Sequence, residues 1–262
     1  MELSNLNGYS AVINPVPIQR INDRLESYMS RKDYEGAEKH LLYWLKEAKL
    51  GHDTRGELLI CNELVGFFRK TDHREQAFKF GDQALNLVNE LGLEGSISAG
   101  TTYINVATAY NAFGEYERSL SLFEKAKALY EANREVPPHL LGGLFNNMAL
   151  TYKELERYDK AFACYEKAMS EMEKVKGGAL EQAITCLNMA DAVAARDGLE
   201  EGETRIYSLL DKACNLLHDS SVPHDGYYAF VCEKCSPSFL YYGYFAAAEE
   251  FQKEAKQIYE RA

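Results

Sequence analysis

The sequence is short of positive charge: 29 lysines and arginines stand against 40 aspartates and glutamates, a formal net charge of −11. No Lys/Arg run offsets this deficit locally, so the chain repels phosphate backbones, which speaks against nucleic acid as a partner. Long hydrophobic runs are missing too. No stretch of about 18 apolar residues is present to cross a membrane, and the opening MELSNLNGYSAVINP has neither a basic leader nor an apolar segment. The expectation is a soluble, cytoplasmic protein without a membrane partner. Phosphate loops, GxGxxG, HExxH and GxSxG strings are also absent. His40, His52, His73 and His139 stand in no Ser, Cys and Asp arrangement of recognisable spacing, so neither catalysis nor a cofactor is expected.

Cysteine is present but poorly organised. Cys61, Cys164, Cys186 and Cys214 are scattered through helical segments and read as reduced thiols. Cys232-Glu-Lys-Cys235, with His218 and His224 upstream, is the one arrangement that suggests metal or redox chemistry. Zinc wants four ligands, commonly from two such pairs, and here there is one. Both cysteines also fall where a helix wants small apolar residues, so they are assigned to core packing and no metal site is expected.

What the chain does have is apolar material and a period. Hydrophobic residues make up 46%, enough to build a core. Laying residues 58–99, 100–141 and 142–183 over one another aligns Ala84, Ala126 and Ala168; Phe68, Tyr110 and Tyr152; and Ala77, Ser119 and Ala161. Tyr116 and Tyr158, and Phe123 and Tyr165, coincide in the last two blocks. Within a block, apolar residues recur at three and four, twice over, around a short polar turn such as Phe113-Gly114-Glu115-Tyr116. Each block is therefore a helical hairpin, with Gly114 placed to take a left-handed conformation at a helix end. A lone hairpin cannot bury both of its stripes, so stability must come from stacking.

The strings NVATAYNAFGEYERSLSLFEKAKALY (Asn105 to Tyr130) and NMALTYKELERYDKAFACYEKAM (Asn147 to Met169) resemble the tetratricopeptide repeat (TPR) family. The usual unit of that family has about 34 residues. The longer unit here is similar to the repeats of kinesin light chains and of peptide-sensing bacterial regulators. The resemblance implies an all-α, right-handed superhelical solenoid of about six hairpins over residues 18–262, with repeats at 18–57, 58–99, 100–141, 142–182, 183–227 and 228–262. Away from the centre the pattern decays. Trp44 stands where a small alanine is expected, so the first hairpin should pack differently. Asp197 to Gly202 should form a longer inter-helix loop than elsewhere, Gly142-Gly143 after Pro137-Pro138 a hairpin junction, and Pro237 should interrupt or kink a helix. Residues 1–17 read as an extended arm, packed along the first hairpin or disordered. The polar back of the last helix, from Glu249 to Glu260, suits an end that caps its own stack, as a whole protein would have.

By resemblance, ligands lie on the concave side, lined by the first helix of each unit, with Asn side chains gripping a guest backbone. Asn105, Asn147 and Asn188 take that place in three repeats, and Asn62 lies beside the aligned Glu63. A primary amide can pair with both groups of a peptide unit, whereas Asn is a poor residue for a helix interior. The competing role is structural: the amides bond across adjacent repeats or fix helix ends. Arg69, Lys70, Thr101, Thr108, Asn111, Asn146 and Lys153 surround them, and the cations favour an acidic guest. Leu59, Ile104, Leu150 and Leu187 are candidate apolar anchors or core. The carboxylate-clamp pattern of chaperone-binding members is absent. The run Phe239 to Phe245 packs the last hairpin or forms a self-association or partner patch, so a homo-oligomer is possible but not required. The expected function is a peptide- or protein-binding scaffold; the alternative is a sensor of a short signalling peptide working through a separate output protein.

Overall fold

The computed structural model describes residues 14–261. These contain twelve α-helices and no strand. They form six consecutive hairpins: α1 (Ile18–Ser30) with α2 (Tyr34–Leu50), α3 (Thr54–Lys70) with α4 (Arg74–Glu90), α5 (Ile97–Ala112) with α6 (Tyr116–Ala132), α7 (Pro138–Glu154) with α8 (Tyr158–Met172), α9 (Ala179–Asp197) with α10 (Leu199–Leu217), and α11 (Gly226–Tyr241) with α12 (Phe245–Arg261). Two compact units result, one ending at Ala132 and the other beginning at Asn133. In the first, α1, α3 and α5 pack directly on one another; in the second, α7, α9 and α11 do so. The second helices make no comparable contact with each other among the described residues. The first helices are thus drawn together along one side of each unit.

The turn inside each hairpin is fixed by one residue of positive φ: Lys32, Asp72, Gly114, Glu156, Gly198 and Gly243. At five of the six the next amide reaches back to an aromatic residue's carbonyl, as in His73 to Phe68, Glu115 to Tyr110, Arg157 to Tyr152 (each 2.8 Å) and likewise at Tyr28 and Phe239. This is the backbone pattern that closes a helix through a left-handed residue. The sixth turn differs. Gly198 has φ 84° and ψ 170°, a region essentially confined to glycine, and is the only residue between α9 and α10. The long loop expected at 197–202 is therefore corrected to the shortest turn in the chain: the extra residues lengthen both helices to 19, and Gly202 lies inside α10.

Two further expectations are corrected. Gly142-Gly143 is no junction but the middle of α7, which begins at Pro138, where a proline suits the first helical turn. Gly142 is buried there against Met172, whose Cε an added Cβ would meet at 2.7 Å. Of the two effects expected of Pro237, interruption does not occur: the exposed proline lies inside α11, which runs on to Tyr241. Trp44 does depart from the alanine pattern. The core stripe of α2 is Ala37, Leu41, Leu45 and Ala48, and Trp44 lines an open cleft of about 660 Å³ with Arg20, Arg24, His40 and Tyr43. Of the expected arm, residues 1–13 lie outside the described residues. Val16 is buried and its amide donates to Asp53 Oδ2 at 2.9 Å, pinning the entry strand of chain to the start of α3.

The aligned residues are the core. Ala84, Ala126, Ala168, Ala77, Ser119 and Ala161 are all buried, and so are Phe123 and Tyr165 at one repeat position. That pair differs in one atom of consequence. The Tyr165 hydroxyl is buried without a hydrogen-bond partner, and burial, with Asp191 and Glu154 nearby, raises its pKa. An unsatisfied buried hydroxyl costs about 1–3 kcal/mol. Tyr165→Phe is accordingly expected to stabilise the second unit by about 1 kcal/mol, read as a higher urea midpoint with an unchanged slope. A loss of stability would show that the hydroxyl is satisfied by a bound water.

Candidate functional site

The asparagines fall into two matching clusters, one in each unit. In the first, Asn105 Nδ2 on α5 donates to Asn62 Oδ1 on α3 at 3.1 Å, and Asn62 Nδ2 donates to Thr102 Oγ1 and to the Leu58 carbonyl, each at 3.1 Å. In the second, Asn188 Nδ2 on α9 donates to Asn146 Oδ1 on α7 at 3.2 Å, and Thr185 Oγ1 donates to the same oxygen at 3.3 Å. Each pair ties one first helix to the next. A primary amide has two donors and an acceptor with two lone pairs, so one such bond leaves Asn105 and Asn188 with hydrogen-bonding capacity unspent.

Asn147 is different. It is half-buried in the interior of α7, and its side-chain amide has no hydrogen-bond partner among the described residues. One turn before it stands Gly143, where an added Cβ would meet nothing within 4 Å, and one turn after it the half-buried Leu150. Gly66 on α3 is equally open. A glycine inside a helix costs about 1 kcal/mol against alanine, and neither of these two is required by a neighbour.

The remaining sequence candidates are distributed as follows. Thr108 Oγ1 donates back to the Ile104 carbonyl at 2.7 Å and is spent within its own helix. Asn111 is half-buried on the last turn of α5. Arg69 is half-buried, and desolvation holds its guanidinium pKa below the ordinary value. Lys153 pairs with Glu154 at 3.0 Å. Among the proposed anchors Leu59 is exposed, Ile104 and Leu150 are half-buried, and Leu187 belongs to the core.

Two carboxylates on these faces are perturbed. Burial raises the pKa of Asp191, opposed by the hydroxyl of Tyr242, which donates to Oδ1 at 2.8 Å, and by Lys153. Burial likewise raises Glu63, opposed by Lys70. Both groups hold a proton more tightly in the folded chain. Their ionisation therefore weighs against the fold, absent below the ordinary carboxylate range and growing as pH rises through the raised values.

The Tyr242 bond across to α9, and that of Tyr227 to Glu181, were not foreseen; the aromatic run signalled packing but not these polar ends. Cys232 and Cys235 are buried, and burial pushes their thiols up to about 11 and about 12. None of the six cysteines is joined in a disulfide. No group of three metal-ligating side chains occurs among the described residues, and none of their helices is long and apolar enough to cross a membrane.

Residues 100–133 and 143–176 match the tetratricopeptide repeat family. Among solved structures, BtubC (BKLC) from P. vanneervenii is similar over 76% of this chain and 79% of its own, with 18% identity and a TM-score of 0.65. A Podosopora anserina protein of nearly identical, kinesin-light-chain-type TPR-like repeats is similar over 79% of this chain and 95% of its own, with 16% identity and a TM-score of 0.55. Identity at this level speaks for the fold. No curated protein matches the sequence.

Proposed function

We propose, taking as premise the tetratricopeptide repeats that the chain carries at residues 100–133 and 143–176, that it is a non-catalytic scaffold or adaptor, the first-helix faces of its hairpins receiving a peptide or protein segment. The observation that carries this reading is on α7: an uncommitted amide, Asn147, between the empty notch at Gly143 and the apolar flank of Leu150. A guest main chain needs those three things, room to approach, a donor with an acceptor, and a surface that excludes water. In the same unit Asn188 offers its remaining amide group, and the first unit carries a face of its own in Asn105 and the half-buried Arg69, a cation suited to an acidic guest. The net charge of −11 speaks against nucleic acid, and six cysteines outside any disulfide suit a reducing, cytoplasmic setting.

Asn147→Ala tests the reading cleanly, because it leaves the Asn146–Asn188 bond in place. With about 1 kcal/mol for each of two lost hydrogen bonds, affinity for a co-purified partner is expected to fall about 5- to 30-fold at unchanged thermal stability. Unaltered affinity, measured by calorimetry, would remove α7 from the binding face. The same capture separates the adaptor from a sensor of a signalling peptide, since the first retains a segment of a larger protein and the second a free oligopeptide.

A further inference from the structure

Large apolar side chains left exposed are absent, among the described residues, between Leu59 and Leu199; they gather towards the two ends of the chain. At the second end they form two stripes. Phe230 and Leu240, 49% and 44% exposed, flank the exposed Pro237 on one side of α11. Phe245 and Tyr259, 66% and 48% exposed, lie on one side of α12 with Gln252 midway between them, at the seven-residue spacing that repeats a helix face. Between the stripes runs an open groove of about 560 Å³, lined by Glu233, Pro237, Gln252, Ala255, Lys256 and Tyr259. One hairpin earlier, the corresponding part of α9, with Ile184 and Leu187, is buried, and α11 packs on that helix. The last hairpin thus presents in apolar form the face that its predecessor covers.

The run from Phe239 to Phe245 divides in the same way. Phe239 is core, and Tyr242 and Tyr244 are tied to Asp191 and Asp211 at 2.8 and 2.6 Å. Leu240, Tyr241 and Phe245 are exposed, Tyr241 meeting the edge of the Tyr242 ring.

We infer that this end face is a self-association surface, on which the α11–α12 hairpin of a second copy seats about a two-fold axis. Area favours that occupant. An aromatic side chain carries about 150–250 Å², so the four half-exposed residues with Pro237 offer roughly 500 Å² of apolar surface. That is at the upper end for an unpartnered patch on a monomer, and with its polar rim it approaches the roughly 800 Å² per partner of a standard interface. Charge favours it too. The acidic excess of the chain would repel a second copy over most of its surface, but the rim here mixes signs, with Glu233 and Glu260 beside Lys256. A face carrying both signs can meet itself reversed, and a two-fold contact closes without further growth.

Sedimentation equilibrium of the full chain tests this. The wild type is expected to reach twice its 29.7 kDa as its concentration rises to about 100 μM. Leu240→Glu with Phe245→Glu, both at exposed positions, is expected to give a monomer throughout that range with an unchanged circular dichroism spectrum and melting temperature. A wild type that stays monomeric at about 100 μM overturns the inference. So does a dimer that survives the double substitution, or one that is lost instead on Tyr43→Glu in the first hairpin.

Discussion

Alanine in place of Gly100 is expected to destabilise the first unit by about 2–3 kcal/mol, although alanine is ordinarily the better residue inside a helix by about 1 kcal/mol. Gly100 lies in the first turn of α5, where an added Cβ would come 2.9 Å from Cδ1 of Tyr130 and closer still to Cε1. The ring cannot swing aside. It is buried, and its hydroxyl holds Thr101 Oγ1 at 3.0 Å. Denaturant titration gives the loss, and a cycle with Tyr130→Leu checks its cause: the clash requires the ring edge, so the two substitutions together should cost less than the sum of each alone. Strict additivity would place the strain elsewhere.

Phe123→Ala is expected to have a larger effect, about 3–5 kcal/mol, because it empties a fully buried site in α6. Phe123 also occupies the repeat position that Tyr165 holds in α8. The two sites therefore form a matched experiment. Deleting the ring should weaken the first unit strongly, whereas deleting only the hydroxyl should strengthen the second. Hydrogen exchange resolves the units separately, and after Phe123→Ala protection should fall in α5 and α6 before α9 and α10. Equal loss in both units would mean that the chain unfolds as one cooperative block.

The fold was legible because the residues that repeat are those the packing needs. Ala84, Ala126 and Ala168 mark close helix approaches, and Phe68, Tyr110 and Tyr152 pack while their carbonyls close the turns. What misled was local composition. Pro137-Pro138 followed by Gly142-Gly143 reads as a break, yet α7 runs through both glycines and packs Gly142 against the Met172 side chain. Asp197-Gly198-Leu199 to Gly202 reads as a loop, yet one glycine suffices when both helices extend to meet it. Such choices are made by contacts distant in sequence, which override propensity.

The candidate site was half legible. Spacing identified the asparagines, but neighbours such as Asn146 and Asn147 point about 100° apart around the helix. Which of the two meets the adjoining repeat depends on how the hairpins are offset. The structure ties Asn146 to Asn188 and leaves Asn147 unspent, a division that a one-dimensional pattern does not carry.

Gly198 has a consequence for how the chain reaches this state. Bringing two segments together costs entropy that grows with the length of the connection, and here the connection is a single residue between the longest helices of the chain. Of all the hairpins, α9–α10 therefore closes with the smallest entropic penalty. In an array whose members contact mainly their neighbours, folding can begin at any point and spread outward. Loop entropy thus favours that hairpin as a starting point.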